Sequence, residues 1–84
     1  MNIFPNPNTG LFTIVLNISL ITGENVKMKI VNILGQEVYN KEYEIKDKNF
    51  KEIVELDKSL PTGIYTLQVI IGDKIENTSM ILSR

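Results

Sequence analysis

The side chains that most often carry catalysis are missing or isolated in this 84-residue chain. It contains no histidine and no cysteine, so the usual general base and the thiol nucleophile are absent. Its four serines, at positions 19, 59, 79 and 83, have no catalytic motif around them. Glu42 and Glu44 lie two residues apart on a predicted strand, where both would share a solvent-facing side. The sequence therefore predicts a protein that is not an enzyme and uses no cofactor.

Metal, nucleic-acid and membrane binding have no better support. Asp47, Asn49, Asp57 and Asp73 carry oxygens at loop ends, but no segment has the dense run of such residues found in calcium loops. Asp and Asn at these places more commonly form turns. Nine basic and ten acidic residues give a net charge of −1, so no basic field is available to neutralise phosphates. The apolar runs are too short to cross a bilayer, and no signal-peptide pattern is visible.

The composition points to strands as the elements that position the side chains. The chain has no alanine, the best helix former, while Ile, Val and Thr number 13, 6 and 6. These β-branched residues are stiff at χ1 and pack well on a pleated surface. A chain of this length has room for one core, and without cysteine it gains no disulfide. We therefore expect a single all-β domain stabilised by its apolar core.

Alternating apolar and polar residues, separated by turn residues, predict strands at 11–19, 26–33, 37–45, 50–56, 64–71 and 74–82. Six or seven short strands in a chain of this size predict an Ig-like β-sandwich of about seven antiparallel strands in two sheets. The apolar pattern of the last strand shifts between Ile75 and Met80, which predicts a β-bulge near Asn77. Residues 41–52 carry many charges of both signs, and we expect a solvated hairpin that protects a sheet edge.

Two proline-containing stretches predict defined turns. In SLPTGIY, Pro61 restricts φ and Gly63 turns freely just before Tyr65. This arrangement predicts a tyrosine corner, in which the hydroxyl bonds to the backbone a few residues upstream. In FPNPNTG, the residues before each proline should be extended, and Asn8-Thr9-Gly10 should turn the chain into the first strand. We therefore divide the chain into a lead-in, residues 1–10, and one domain, residues 11–84.

Four motifs occur in order along the chain: PNPNTG at residues 5–10, LGQ at 34–36, LPTGIY at 60–65 and MILSR at 80–84. Together they resemble the type A C-terminal sorting domain of the type IX (Por) secretion system of Bacteroidetes, over essentially all of the chain. The resemblance implies a seven-stranded sandwich at the C-terminus of a larger cargo protein. Such cargo reaches the periplasm, crosses the outer membrane, and is secreted or kept at the cell surface. The implied partners are the outer-membrane translocon, shuttle proteins and a sortase-like cysteine protease that removes the domain.

The resemblance also assigns roles to residues. The lead-in motif falls on Pro5, Asn6, Pro7 and Gly10, the middle turn on Gly35 and Gln36, and the corner on Leu60, Pro61, Gly63 and Tyr65. Recognition is expected in the last strand and the residues after it, namely Lys74, Met80, Ile81, Leu82, Ser83 and Arg84. The cleaved bond would precede the PNP motif, at residues 2–4 or earlier. The family often has a lysine near the end of the closing strand, whereas this chain has Ser79, Ser83 and Arg84.

A mechanism consistent with these assignments is strand addition, in which a partner pairs with an exposed edge of the last strand. Free edges also allow a homodimer. The alternative function is an Ig-like or fibronectin-like module that binds carbohydrate or a surface protein. The chain has no tryptophan, and its three tyrosines form no evident platform for stacking sugars. A structural spacer is a third possibility.

Overall fold

The computed structural model describes residues 1–17, 25–45 and 49–84. It confirms the all-β fold, and no helix occurs in these ranges. No segment there could therefore cross a bilayer as a helix. The strands are β1 (Asn2–Phe4), β2 (Leu11–Asn17), β3 (Asn25–Val31), β4 (Glu37–Glu44), β5 (Asn49–Glu55), β6 (Gly63–Ile71) and β7 (Lys74–Leu82).

The strands form two antiparallel sheets, in the orders β1-β2-β5 and β4-β3-β6-β7. The predicted arrangement of seven antiparallel strands in two sheets is confirmed. β7 lies at one edge of the four-stranded sheet and pairs with β6. β1 lies at one edge of the three-stranded sheet, within the stretch that the sequence indicated only as a lead-in. The two Xaa-Pro peptide bonds that follow β1, Phe4–Pro5 and Asn6–Pro7, are cis.

The core lies between the sheets and follows the predicted alternation. On β3 the side chains of Val26, Met28 and Ile30 are fully buried, while that of Lys27 is exposed. Each such buried aliphatic side chain contributes about 1.5–3 kcal/mol relative to an exposed one. β7 adds Met80 and Leu82, which are fully buried. The remaining buried apolar residues are Phe12, Ile14, Leu16, Ile45, Phe50, Val54, Leu56, Tyr65, Leu67 and Val69.

The predicted β-bulge near Asn77 is wrong. β6 and β7 pair in continuous register over nine residue pairs, from Gly63 opposite Leu82 to Ile71 opposite Lys74. Ile75 is 59% exposed and lies on the outer face of the sheet. Because this outward-facing residue is apolar, the sequence reads as though the alternation of apolar and polar residues moves by one position, which explains the error. The register shift occurs in β3 instead, between Ile30 and Val31 where β3 pairs with β4.

The predicted hairpin at residues 41–52 is also wrong, because β4 and β5 belong to different sheets. Both strands are sheet edges, so their charged side chains still lie where edge protection is needed. The rings of Tyr43 in β4 and Phe50 in β5 contact each other edge to face, with centroids 5.5 Å apart. Two parts of predicted features lie outside the described residues, namely Ile18 and Ser19 of the first predicted strand and residues 46–48 within the predicted hairpin.

Candidate recognition site: the N-terminal arm, the last strand and Arg84

Residues 5–10, here called the N-terminal arm, lie along the outer edge of β7. The backbone N–H of Asn8 donates to the carbonyl of Ile81 (3.0 Å), and the N–H of Ser83 donates to the carbonyl of Asn8 (2.7 Å). Asn8 thereby forms a parallel bridge with Leu82. One residue of the arm acts as a minimal parallel strand on the far side of β7 from β6.

The side chain of Asn6 continues this pairing. Its Oδ1 accepts from the N–H of Ile81 (3.0 Å), and its Nδ2 donates to the carbonyl of Ser79 (3.4 Å). The carboxamide carries one donor and one acceptor side by side, as a peptide unit does. The arm therefore binds outward-facing backbone groups of β7 from the Ser79 carbonyl to the Ser83 amide.

Asn8 anchors the arm from inside. Only 3% of its surface is exposed, and among the described residues no other non-aromatic polar side chain is buried to this degree. Its Oδ1 accepts from the N–H of Gly10 (2.9 Å), and its Nδ2 donates to the carbonyl of Pro5 (3.2 Å). The carbonyl of Gly10 accepts from the N–H of Leu56 (2.8 Å), just after β5. The arm is thus fixed to both sheets.

Gly10 cannot easily carry a side chain. Its φ is +110°, a conformation that L-residues rarely adopt. A Cβ at this position would lie 2.6 Å from Nη2 of Arg84. The glycine of the lead-in motif therefore gives the chain its turn and leaves space for the guanidinium group.

The guanidinium of Arg84 joins the arm to the loop between β5 and β6. It donates to the carbonyls of Thr9 (3.2 Å), Asp57 (2.9 Å) and Lys58. Several N–H groups in a fixed planar fork allow one arginine to bind carbonyls of different segments. The backbone N–H of Arg84 also donates to Oγ1 of Thr62 (3.0 Å). Arg84 holds together the arm, the loop and the end of β7.

The loop that receives Arg84 has its own internal hydrogen bonds. The backbone N–H of Ser59 donates to the Asp57 carboxylate (2.8 Å). This bond, aided by the Ser59 hydroxyl and the charge of Arg84, holds the pKa of Asp57 below its usual range. The N–H of Leu60 donates to the Asp57 carbonyl (3.1 Å). The loop therefore presents its carbonyls to Arg84 in a fixed arrangement.

The corner motif lies beside this junction. The hydroxyl of Tyr65 donates to the carbonyl of Pro61 (2.6 Å), which is the geometry expected of a tyrosine corner. The Tyr65 ring is buried, and Tyr65 pairs with Met80 of β7. Gly63 begins β6 opposite Leu82. The corner positions the strand against which the end of β7 pairs.

The structure brings most of the predicted site residues to one end of the sandwich, but not all of them. Lys74 begins β7, eight residues and roughly 26 Å from Leu82. Gly35 and Gln36 form the turn between β3 and β4, where Gly35 has a φ of +81°. Of the predicted recognition residues, Met80 and Leu82 are buried in the core, whereas Lys74, Ile81, Ser83 and Arg84 are exposed.

The role of the Asn8 side chain, which holds the arm, was not predicted from the sequence. The available signal was an asparagine two residues before a glycine, a pattern typical of Asx turns. Asp57 and Lys58 were also missed as partners of Arg84, since they accept through backbone carbonyls, which any residue type can offer. Thr62 was missed too, although it accepts from the Arg84 N–H through its side-chain Oγ1. In the described ranges no group of three or more acidic, His or Cys side chains could hold a metal ion.

These features define a small β-sandwich domain in which the lead-in segment and the last strand are joined by hydrogen bonds. The sequence profile described as a secretion system C-terminal sorting domain matches residues 2–83, and the chain belongs to this family. A search of curated proteins found no significant match. The resemblance to the type IX sorting domain is confirmed.

Membership in the family establishes the general function. The domain is a sorting signal for type IX secretion, and it interacts with the type IX machinery. The cargo of such a signal is exported to the cell surface or secreted. The family is not known to be catalytic.

Proposed function

We propose that the domain directs a larger cargo, attached before β1, across the outer membrane through the type IX translocon, and that shuttle proteins and the translocon recognise the last strand and the residues after it. The observation that carries this proposal is the set of hydrogen bonds that joins the N-terminal arm, the end of β7 and the loop between β5 and β6. Ile81 is exposed on β7, and Ser83 and Arg84 are exposed directly after it. The position of β7 is fixed from both sides, by β6 and by the N-terminal arm. Met80 and Leu82 act through the fold, because their side chains hold β7 in the core.

Cleavage by the sortase-like cysteine protease belongs before Asn2 in this proposal. A protease needs an accessible extended segment, whereas residues 2–4 are paired with β2, with Asn2 opposite Val15 and Phe4 opposite Thr13. The structure therefore favours a cleavage site in the chain that precedes β1. After cleavage the cargo is released or attached to lipopolysaccharide.

The first experiment is a secretion assay. A periplasm-targeted fluorescent protein is fused in front of this domain and expressed in a Bacteroidetes host, with and without a working translocon. Appearance of the reporter on the surface or in the medium only when the translocon works supports the proposal. Retention in both strains, with the fusion folded and a native sorting domain exported in the same host, contradicts it and favours the adhesive module.

Deleting residues 79–84 would not identify the recognised side chains, because it also removes Met80 and Leu82 from the core. A matched pair of substitutions avoids this difficulty. Ile81→Asp changes a side chain that is 45% exposed at the proposed site, and Ile53→Asp changes one that is 65% exposed on the other sheet. We expect Ile81→Asp to reduce export by about tenfold, the equivalent of about 1.4 kcal/mol in binding. Equal export of the two variants would contradict recognition through this strand.

A further inference from the structure

The outer edge of β7 is divided into a covered part and an open part. The N-terminal arm covers the part from the Ser79 carbonyl to the Ser83 amide. An antiparallel strand directs the N–H and C=O of alternate residues toward the same side. Since Ile81 directs both groups away from β6, Ile75 and Asn77 do the same in this unbroken register. Within the described ranges no strand other than β6 pairs with β7, so residues 74–77 form an open edge.

The covered part is not readily opened. Asn8 is buried and makes four hydrogen bonds, two through its backbone and two through its side chain. After Asn8, the carbonyl of Gly10 accepts from the N–H of Leu56, and before the arm in sequence β1 is paired with β2. A strand that approaches β7 therefore meets the Asn6 side chain at the Ser79 carbonyl and the firmly held backbone of Asn8 at the Ile81 carbonyl.

The open edge has a distinct chemical pattern. Ile75 is exposed on the outer face, directly opposite the half-buried Ile70 of β6. Lys74 and Glu76 lie on the other face of the strand, and both are exposed. A strand that pairs here can place an apolar side chain beside Ile75 and charged side chains of opposite sign beside Lys74 and Glu76.

We propose that an extended segment of the type IX machinery adds to β7 at the open edge, residues 74–77, and that the N-terminal arm sets the end of this pairing. This inference rests on the proposed function and narrows the place of strand addition from the edge of β7 as a whole to its first four residues. Four residues span roughly 13 Å of strand. A second copy of the domain pairing only here would fall short of the 1,200 Å² or so that stable interfaces bury. The partner is therefore a segment of a larger protein that makes further contacts.

Two proline substitutions on the same strand test the proposal. Asn77→Pro removes an outward N–H from the open edge, and Ser79→Pro removes an outward N–H beside the arm. Neither N–H faces β6, so both variants should keep the wild-type circular dichroism spectrum and a similar thermal midpoint. We expect Asn77→Pro to reduce translocon-dependent export by about tenfold or more, through the lost pairing, and Ser79→Pro to leave it within about twofold.

A folded Asn77→Pro variant that is exported as well as wild type would overturn the proposal while leaving the sorting function intact. Loss of translocon dependence in the wild type would instead overturn the proposed function. Should Asn77→Pro fail to fold, Ile75→Lys provides the same test, because it places a charge at an exposed position and retains the N–H. Light scattering of purified wild type gives a second readout. A dimer that Ile75→Lys dissociates without a change in export would assign the edge to a second copy and overturn the proposal.

Discussion

Replacing Asn8 by alanine tests whether one buried side chain holds the N-terminal arm against β7. The substitution removes the hydrogen bonds from the Gly10 N–H to Oδ1 and from Nδ2 to the Pro5 carbonyl. Gly10 is buried, so its N–H would lose its partner in a place that water does not easily reach. One net hydrogen bond contributes about 1 kcal/mol, and an unsatisfied buried donor costs about 1–3 kcal/mol. We therefore expect Asn8→Ala to lower the free energy of unfolding by about 2–4 kcal/mol.

This loss is large for so small a domain. A chain of this length has a total stability of about 4–13 kcal/mol. The expected fall in the thermal midpoint is roughly 10–30 °C. Thermal and urea denaturation followed by circular dichroism measure the change. Hydrogen exchange should show faster exchange at the Ser83 amide, whose acceptor is the Asn8 carbonyl.

Asn6→Ala is the matched control, because it changes the same residue type two positions away. Asn6 also makes two side-chain hydrogen bonds, but both are exposed and water can replace them. We expect Asn6→Ala to cost less than about 1 kcal/mol. Equal destabilisation by the two substitutions would refute the reasoning, since it would show that burial of Asn8 does not decide the strength of the arm.

Two further predictions concern the tyrosines. Tyr65→Phe removes only the hydroxyl that donates to the Pro61 carbonyl. We expect this change to lower the free energy of unfolding, measured by urea denaturation, by about 1 kcal/mol. An unchanged urea midpoint would show that this hydrogen bond contributes nothing to stability. Burial, followed by the hydrogen bond to Tyr39, raises the pKa of Tyr43 above its ordinary value. A raised pKa in the folded state stabilises the fold below the unfolded pKa, and this contribution is lost as the pH rises through the folded pKa. The urea midpoint of wild type should therefore fall more steeply above pH 10 than that of Tyr43→Phe, and parallel curves would contradict the assignment.

The strands could be predicted from the sequence because their signal is local. Val26, Met28 and Ile30 alternate with polar residues, and a period of two places them on one face whatever the strand pairs with. The corner could be predicted for the same reason, since Pro61, Gly63 and Tyr65 lie within five consecutive residues. The predicted bulge was wrong because Ile75 is an apolar residue on the outer face, and the predicted hairpin was wrong because the partner of each strand had to be known. The charges of β4 and β5 suggested a hairpin, but the two strands are edges of different sheets.

The sequence by itself determined that the protein is all-β, that it lacks the usual catalytic side chains, and that its turn motifs have the order found in type IX sorting domains. The first two properties follow from composition and from local alternation of residue types, whereas the third is a resemblance to a known family, carried by four motifs spread over the chain. Only the tertiary structure decided that Asn6 binds Ser79 and Ile81, which lie 73 and 75 positions further along the chain. Such contacts depend on how the two sheets stack and on which strand lies at the edge. The sequence does not determine these, because the alternation of side chains within one strand is the same for every choice of partner. The division of β7 into a covered and an open part is therefore a property of the folded domain.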